Sequence, residues 1–137
     1  MDVAVADAGP LYAAANSADP DHARSLALLQ RTDLELVIPA LVVTEVTQLL
    51  GRRNGPVAAA RFLRGLAGFA IEAPAPEDFP RIAELIDRYA DFPLGGVDAS
   101  VVALAERLDT PLVLTLDHRH FAAVKPAHCD ALQLLPE

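Results

Sequence analysis

The sequence predicts an α/β protein in which a short parallel sheet is flanked by helices. Two observations lead to this prediction. Several short apolar runs lack polar alternation, as strands buried on both faces do, and the clearest of them is Pro111–Leu116. Between these runs lie segments whose apolar residues recur at helical spacing, as in Glu77–Ala90. Short strands that alternate with amphipathic helices are typical of parallel α/β folds.

The first half of the chain predicts three strands and four helices. The strands are the apolar runs at 3–6, 34–38 and 69–71. The helices occupy 11–16, 20–29, 40–51 and 57–67. Asp19 is a good N-cap for the second helix, because Pro20 then takes the first helical position. Its apolar face would be formed by Ala23, Leu26, Ala27 and Leu29.

The second half predicts two long helices, a strand, a short helix and a last strand. The long helices are Glu77–Ala90 and Asp98–Leu108, and Asp98 is placed to cap the second of them after a Pro-Leu-Gly-Gly turn. The strand Pro111–Leu116 leads directly to Asp117. A short helix then carries His120 and Phe121, and residues 131–135 form the last strand.

Composition places the chain among globular proteins. With 137 residues, of which 53% are hydrophobic, it is long enough to bury a substantial core, and we expect 1–137 to form one domain. No uncharged stretch reaches membrane-span length, and the N-terminus has no basic region of the signal-peptide kind. The single cysteine, Cys129, excludes an internal disulfide, so we expect a cytoplasmic protein without membrane association.

Four acidic residues stand where the predicted fold would gather them. Asp7 and Asp117 follow predicted strands, and Asp98 starts a helix after a turn. Ligands of parallel α/β sheets bind outside the carboxyl ends of the strands. Glu45 lies among apolar residues of a helix, where an unpaired carboxylate is costly to bury. Each acid alone is explained by a turn, a cap or a solvated surface, but their joint arrangement indicates a shared site.

The segments around these acids resemble PIN-domain ribonucleases, specifically the VapC-type toxins of bacterial toxin–antitoxin pairs. The resemblance covers essentially the whole chain and rests on VAVADAGPLYA, PALVVTEV, PLGGVDASVVALAERL and VLTLDHRHF. It implies a three-layer PIN-like domain with a short central parallel sheet flanked by helices. The chain departs from the family pattern at Ala8-Gly9, where Thr-Ser or Ser-Ser is more usual.

The resemblance also implies an activity and partners. The protein would be a metal-dependent endoribonuclease toxin that hydrolyses phosphodiester bonds of transfer or ribosomal RNA. It would form a homodimer and be neutralised by a cognate VapB-type antitoxin. An acidic pocket would bind Mg²⁺ or Mn²⁺, hard cations that prefer oxygen ligands. The catalytic and metal-ligating residues would be Asp7, Glu45, Asp98 and Asp117.

Three residues beside the acids are accessory candidates. Thr44 and Thr115 are each placed to hydrogen-bond a carboxylate, a water or a phosphate, and Arg119 either contacts phosphate or lies at the surface. Because the net charge is −8, attraction for nucleic acid must be local or depend on bound cations. The one clearly basic stretch, Arg52–Arg64, either faces RNA or an acidic partner or is a solvated helix hairpin.

Other functions stay open on the residues alone. A catalytically silent RNA- or protein-binding PIN-like module would have the same fold, although intact acids at all four places argue against it. Phosphotransfer folds with an aspartyl nucleophile fit less well. The haloacid-dehalogenase pattern requires a second Asp where Gly9 stands. Receiver domains require a lysine after a late strand, and the only lysine, Lys125, is poorly placed.

Overall fold

The computed structural model describes residues 1–137, with a sheet of five parallel strands at its centre. The strands, in chain order, are β1 (Asp2–Ala6), β2 (Leu34–Pro39), β3 (Ala70–Glu72), β4 (Leu112–Leu114) and β5 (Gln133–Leu135). They lie side by side in the order β3-β2-β1-β4-β5, and every neighbouring pair is parallel. The predicted short parallel sheet is therefore confirmed.

Helices connect successive strands and cover the sheet. They are α1 (Ala8–Ala15), α2 (His22–Leu29), α3 (Ala40–Asn54), α4 (Pro56–Gly65), α5 (Asp78–Arg88), α6 (Gly96–Arg107) and α7 (His118–Ala123). A 3₁₀ turn, Leu66–Gly68, follows α4. The main helix pairings are α1 with α2, α3 with α4 and α5 with α6. None of these helices combines the length and the apolar character that crossing a membrane would require.

The most deeply embedded helix is α6. All seven residues from Ala99 to Ala105 are buried, and the helix contacts α3 and α5 as well as β1, β2 and β4. A helix that is apolar on all sides belongs inside a core. Its small residues allow this close approach to several elements at once. Packing around Ala99–Ala105 therefore fixes the helix directly after Asp98.

Two predicted features of the first half are wrong. The second helix begins at His22, because the Asp19 carboxylate accepts the N–H of Asp21 at 2.8 Å in a local turn and does not cap the helix. Its buried face is formed by Ser25 and Leu28 rather than by the predicted apolar stripe. Helix bounds also differ: α1 begins at residue 8, directly after Asp7, and α3 continues through Gly51 to Asn54.

The end of β4 is also predicted wrongly. The strand stops at Leu114 rather than at Leu116. The next residue, Thr115, accepts the backbone N–H of Asp117 on its hydroxyl at 2.9 Å, which turns the chain. Asp117 therefore follows the strand by three residues instead of ending it.

Candidate active site

Asp7 is the buried acid of the site. It follows β1 directly and occupies the N-cap position of α1 with extended backbone angles, φ −81° and ψ 171°. Its N–H donates to the carbonyl of Leu114 in the neighbouring strand at 2.8 Å. The residue is 5% exposed. The Thr115 hydroxyl donates to Oδ2 at 2.9 Å, whereas Oδ1 is buried without a hydrogen-bond partner.

This environment makes the charged form of Asp7 costly. The pKa of its carboxyl is raised from 3.8 to about 7, mainly by burial and also by the negative charges of Asp98 and Glu45. The nearby Ala8 backbone N–H and the hydrogen bond from Thr115 lower the pKa but do not outweigh burial. A buried carboxylate of this kind needs a proton or a cation to compensate its charge.

Asp98 lies in the first turn of α6 and does not cap the helix. The N-cap position is taken by Gly95, whose extended backbone, φ −74° and ψ 170°, lets the helix begin earlier than predicted. The Asp98 side chain is partly buried. Burial raises the pKa of its carboxyl and the charge of Asp117 raises it further, while His120 and the Gly95 backbone act in the opposite direction.

Asp98 is also the acid that interacts with each of the other three. The charge of Asp98 raises the pKa of Asp7 and of Glu45. The charge of Asp117 in turn raises the pKa of Asp98. Glu45 lies on the solvent side of α3, where partial burial of the carboxylate is the larger cause of its raised pKa. The structure thus brings all four acids into one electrostatic neighbourhood.

Asp117 is held by short-range hydrogen bonds at the start of α7. Its Oδ1 accepts the backbone N–H of His120 at 3.1 Å, and its Oδ2 accepts from Nδ1 of the same residue at 2.7 Å. The buried hydroxyl of Thr115 accepts the Asp117 N–H and donates to Asp7. Thr115 therefore links the acid that follows β1 to the acid that follows β4.

Gly9 has a packing role next to this link. A Cβ at this position would lie 3.3 Å from the Cβ of Leu116, which is tighter than ordinary van der Waals contact. The absence of a side chain at Gly9 lets the start of α1 approach the segment between β4 and α7. This close approach is consistent with the short contact between Asp7 and Thr115.

The remaining accessory candidates have other contacts. Thr44 is exposed on α3, and its hydroxyl donates to the carbonyl of Ala40 in the same helix at 3.4 Å. Arg119 is exposed on α7, with its guanidinium carbon 5.3 Å from the centre of the Phe92 ring. Sequence reasoning missed Phe92. The only signal for it is an aromatic residue directly before the Pro-Leu-Gly-Gly turn.

The donor atoms of the site fit a hard divalent cation. All four acids offer carboxylate oxygens, and the buried Oδ1 of Asp7 has no other partner. No three His, Cys, Asp or Glu side chains are gathered tightly enough here to enclose one ion. Mg²⁺ is typically held by only one or two carboxylates, with waters and substrate phosphate completing its ligands. The residues present therefore suit such an ion.

Comparison with known proteins identifies the family. A family model described as the PIN domain matches residues 4–125, so the chain belongs to the PIN-domain family. Ribonuclease VapC26 of Mycobacterium tuberculosis (strain ATCC 25618 / H37Rv) is 34% identical over 134 residues, which cover 96% of this chain and 99% of VapC26. The predicted resemblance is confirmed: the chain is a homologue of VapC ribonucleases.

Solved structures share the fold. The crystal structure of Mycobacterium tuberculosis VapC20, a sarcin–ricin loop cleaving toxin, matches with a TM-score of 0.80 at 19% identity, covering 95% of this chain and 99% of VapC20. VapBC2 from Rickettsia felis, bound to a DNA fragment from its promoter, matches with a TM-score of 0.67 at 15% identity, covering 87% of this chain and 90% of the matched chain. Both confirm the PIN-like architecture.

Proposed function

We propose that this chain is a metal-dependent endoribonuclease toxin that hydrolyses phosphodiester bonds of RNA. The observation that carries the proposal is the electrostatic neighbourhood centred on Asp98, which interacts with the three other acids. Ribonuclease activity is supported by the homology to VapC26. Metal dependence is supported by the oxygen-only donor set and by the unpaired Oδ1 of Asp7.

Asp7 and Asp98 are the residues that would hold the cation directly. Asp7 has a free buried oxygen, and Asp98 interacts electrostatically with the three other acids of the site. Both oxygens of Asp117 already accept hydrogen bonds from His120, so this acid would act through water or on a second ion, as would the exposed Glu45. A divalent cation at this site supplies Lewis-acid activation of a water and charge neutralisation at phosphate.

The chain's own residues prepare the site for that ion. Thr115 occupies one oxygen of Asp7 and holds the backbone of Asp117, so the spacing of the two acids is set before any ligand binds. His120 fixes the orientation of the Asp117 carboxylate. Such preorganisation reduces the reorganisation that catalysis would otherwise require.

End-group analysis of cleaved RNA tests the proposal. In-line attack by water with departure of the 3′ oxygen gives 5′-phosphate and 3′-hydroxyl ends, and EDTA should stop the reaction. Asp98→Asn should lower the cleavage rate by at least about 10²-fold, whereas Asp2→Asn, an exposed acid at the start of β1, should not. Cyclic phosphate ends, or full activity in EDTA, would contradict the metal-dependent mechanism.

The proposed substrate is transfer or ribosomal RNA. One structural relative, VapC20, is a sarcin–ricin loop cleaving toxin, but at 19% identity that likeness concerns the fold. Sequencing RNA 5′ ends after induced expression identifies the target and the cleavage site.

The proposed partners are a cognate VapB-type antitoxin and a second copy of the chain. An apolar groove of about 330 Å³ supports the antitoxin proposal. It lies between α1, α2, α4 and the 3₁₀ turn, and the large apolar residues that line it are Leu11, Leu26, Leu29, Phe62, Leu66 and Phe69. Grooves of this kind receive apolar faces of partner segments. The homodimer rests on the family resemblance.

A further inference from the structure

Three side chains beside the acids form a cluster, here named the Phe92 cluster: Phe92, Arg119 and His120. Phe92 belongs to the loop between α5 and α6, which leads to Asp98, and the other two belong to α7. The ring centres of Phe92 and His120 are 4.7 Å apart, with the ring planes tilted by 40°. The guanidinium carbon of Arg119 lies 5.3 Å from the Phe92 ring centre.

The cluster is fixed relative to the carboxylates. His120 contacts the Phe92 ring on one side and donates two hydrogen bonds to Asp117 on the other. It also interacts electrostatically with Asp98. One residue thus connects the ring that carries Arg119 to two of the proposed site residues, so the position of the guanidinium is coupled to that of the site.

Arg119 differs from the arginines that pair with carboxylates. Four arginines, namely Arg24, Arg31, Arg81 and Arg107, each form an ion pair. Arg119 is exposed and forms none, although it is two residues from Asp117 in a chain of net charge −8. Stacking on an aromatic face holds a guanidinium in place while leaving its in-plane N–H donors free. Those donors suit phosphate oxygens.

We propose that Arg119, seated on the Phe92 ring, binds a phosphate of single-stranded RNA at the rim of the carboxylate site. The inference rests on the proposed function, because it requires RNA to enter that site. Four acids repel the RNA backbone, so a cation at the rim is needed to hold the strand next to them. Arginine and aromatic side chains commonly share the binding of unpaired RNA strands.

RNA binding by a cleavage-silent chain tests this role. The probe is fluorescein-labelled oligouridylate, titrated at several salt concentrations against the full chain carrying Asp98→Asn. Adding Arg119→Gln should raise Kd about tenfold and reduce the slope of log Kd against log salt by about 0.7, the change expected for one lost phosphate contact to a single strand. Arg119→Lys should keep the salt slope but recover only part of the affinity, because it keeps the charge without the planar guanidinium and its paired N–H donors.

Two further variants complete the test. Phe92→Leu should weaken binding about threefold with the salt slope unchanged, because the charge of Arg119 remains but the aromatic ring that positions it is lost. Arg31→Gln is the matched control: this exposed arginine precedes β2 and therefore lies at the amino ends of the strands, away from the acids, so both parameters should stay unchanged.

The outcomes separate the inference from the proposed function. Equal Kd values and salt slopes for Arg119→Gln and Arg31→Gln would overturn the inference. The proposed function would still stand, because it rests on cleavage by the parent chain. Absence of RNA binding by every variant would overturn it as well. In that case, cleavage assays on the parent chain decide whether the proposed function falls with it.

Discussion

Asp7 is a residue whose buried carboxyl destabilises the fold and also leaves an oxygen available to a ligand. Its carboxyl is buried, one oxygen lacks a partner, and burial together with the charges of Asp98 and Glu45 raises its pKa to about 7. The Thr115 hydroxyl and the Ala8 N–H compensate only part of the negative charge of the Asp7 carboxylate. Residues that destabilise the fold in this manner are candidates for ligand binding, because the ligand supplies the missing compensation.

The raised pKa of Asp7 predicts how stability depends on pH in the absence of metal. Between about pH 4 and pH 7 the native chain keeps a proton that the unfolded chain has lost, so stability falls as pH rises through this window and then levels off. The shift of about 3 pKa units corresponds to at most about 4 kcal/mol. Asp7→Asn should reduce this pH dependence to the part that the raised pKa values of Asp98 and Glu45 contribute, as measured by urea unfolding in EDTA.

Asp2→Asn is the control for that measurement, because Asp2 lies exposed at the other end of β1. Its unfolding free energy should follow the pH curve of the parent chain. Parallel curves for the parent and Asp7→Asn would mean that Asp7 ionises in the folded chain without cost, and the electrostatic description of the site would then be wrong.

At the scale of elements, an ion-pair network holds the helix that carries Asp98. Arg81 of α5 donates from Nε and Nη2 to the two carboxylate oxygens of Glu106 in α6, at 2.9 and 2.8 Å. The same carboxylate accepts the N–H of Ala127 at 2.7 Å. Burial alone would raise the pKa of Glu106, but the hydrogen bonds and charge of Arg81 and the Ala127 N–H lower it. The network thus joins α5, α6 and the loop after α7.

Removing the Glu106 charge should destabilise the fold. The side chain is only 11% exposed, and Glu106→Gln replaces charged hydrogen bonds by weaker ones, so we expect a loss of about 1–3 kcal/mol in urea unfolding. Glu84→Gln is the matched control. Glu84 pairs with the same Arg81 but is 64% exposed, so its loss should stay below about 0.5 kcal/mol. Equal effects would contradict a dominant role for the buried pair.

The elements also show what sequence patterns can and cannot predict. The strands β1 and β2 were predictable, because runs buried on both faces have an unmistakable apolar pattern. The start of α6 was predicted too late, since Gly-Gly was interpreted as a turn and Asp98 as its cap, whereas Gly95 caps the helix. Thr115 turns the chain after β4 through a local bond to the Asp117 N–H, whereas its bond to Asp7 joins residues 108 positions apart, which no local pattern contains.

The candidate site was predictable to a similar degree. Strand ends and the family resemblance pointed to all four acids; Asp98 interacts electrostatically with each of the other three, and their role as one site stays a prediction. The pKa of Asp7 was not predictable, because it arises from burial by the folded chain. The Phe92 cluster was also beyond sequence reasoning, since Phe92 and His120 meet only through the packing of a loop on α7.

At the scale of the whole molecule, the topology explains why one edge of the sheet carries the acids. Parallel strands present their carboxyl ends together, and β1 and β4 are neighbours at the centre of the sheet. The embedded helix α6 contacts both, which sets the position of Asp98. Part of the net charge of −8 therefore lies at this edge of the sheet.

Calorimetric titration with Mn²⁺ tests the central claim, that these acids form a divalent-cation site. The parent chain and Asp2→Asn should bind Mn²⁺ with the same affinity, and Asp98→Asn should bind it at least about tenfold more weakly, because it loses a proposed direct ligand. Binding should also release protons near pH 7, since Asp7 is partly protonated there. Equal Mn²⁺ affinity for all three chains, or no binding by the parent, would contradict the account.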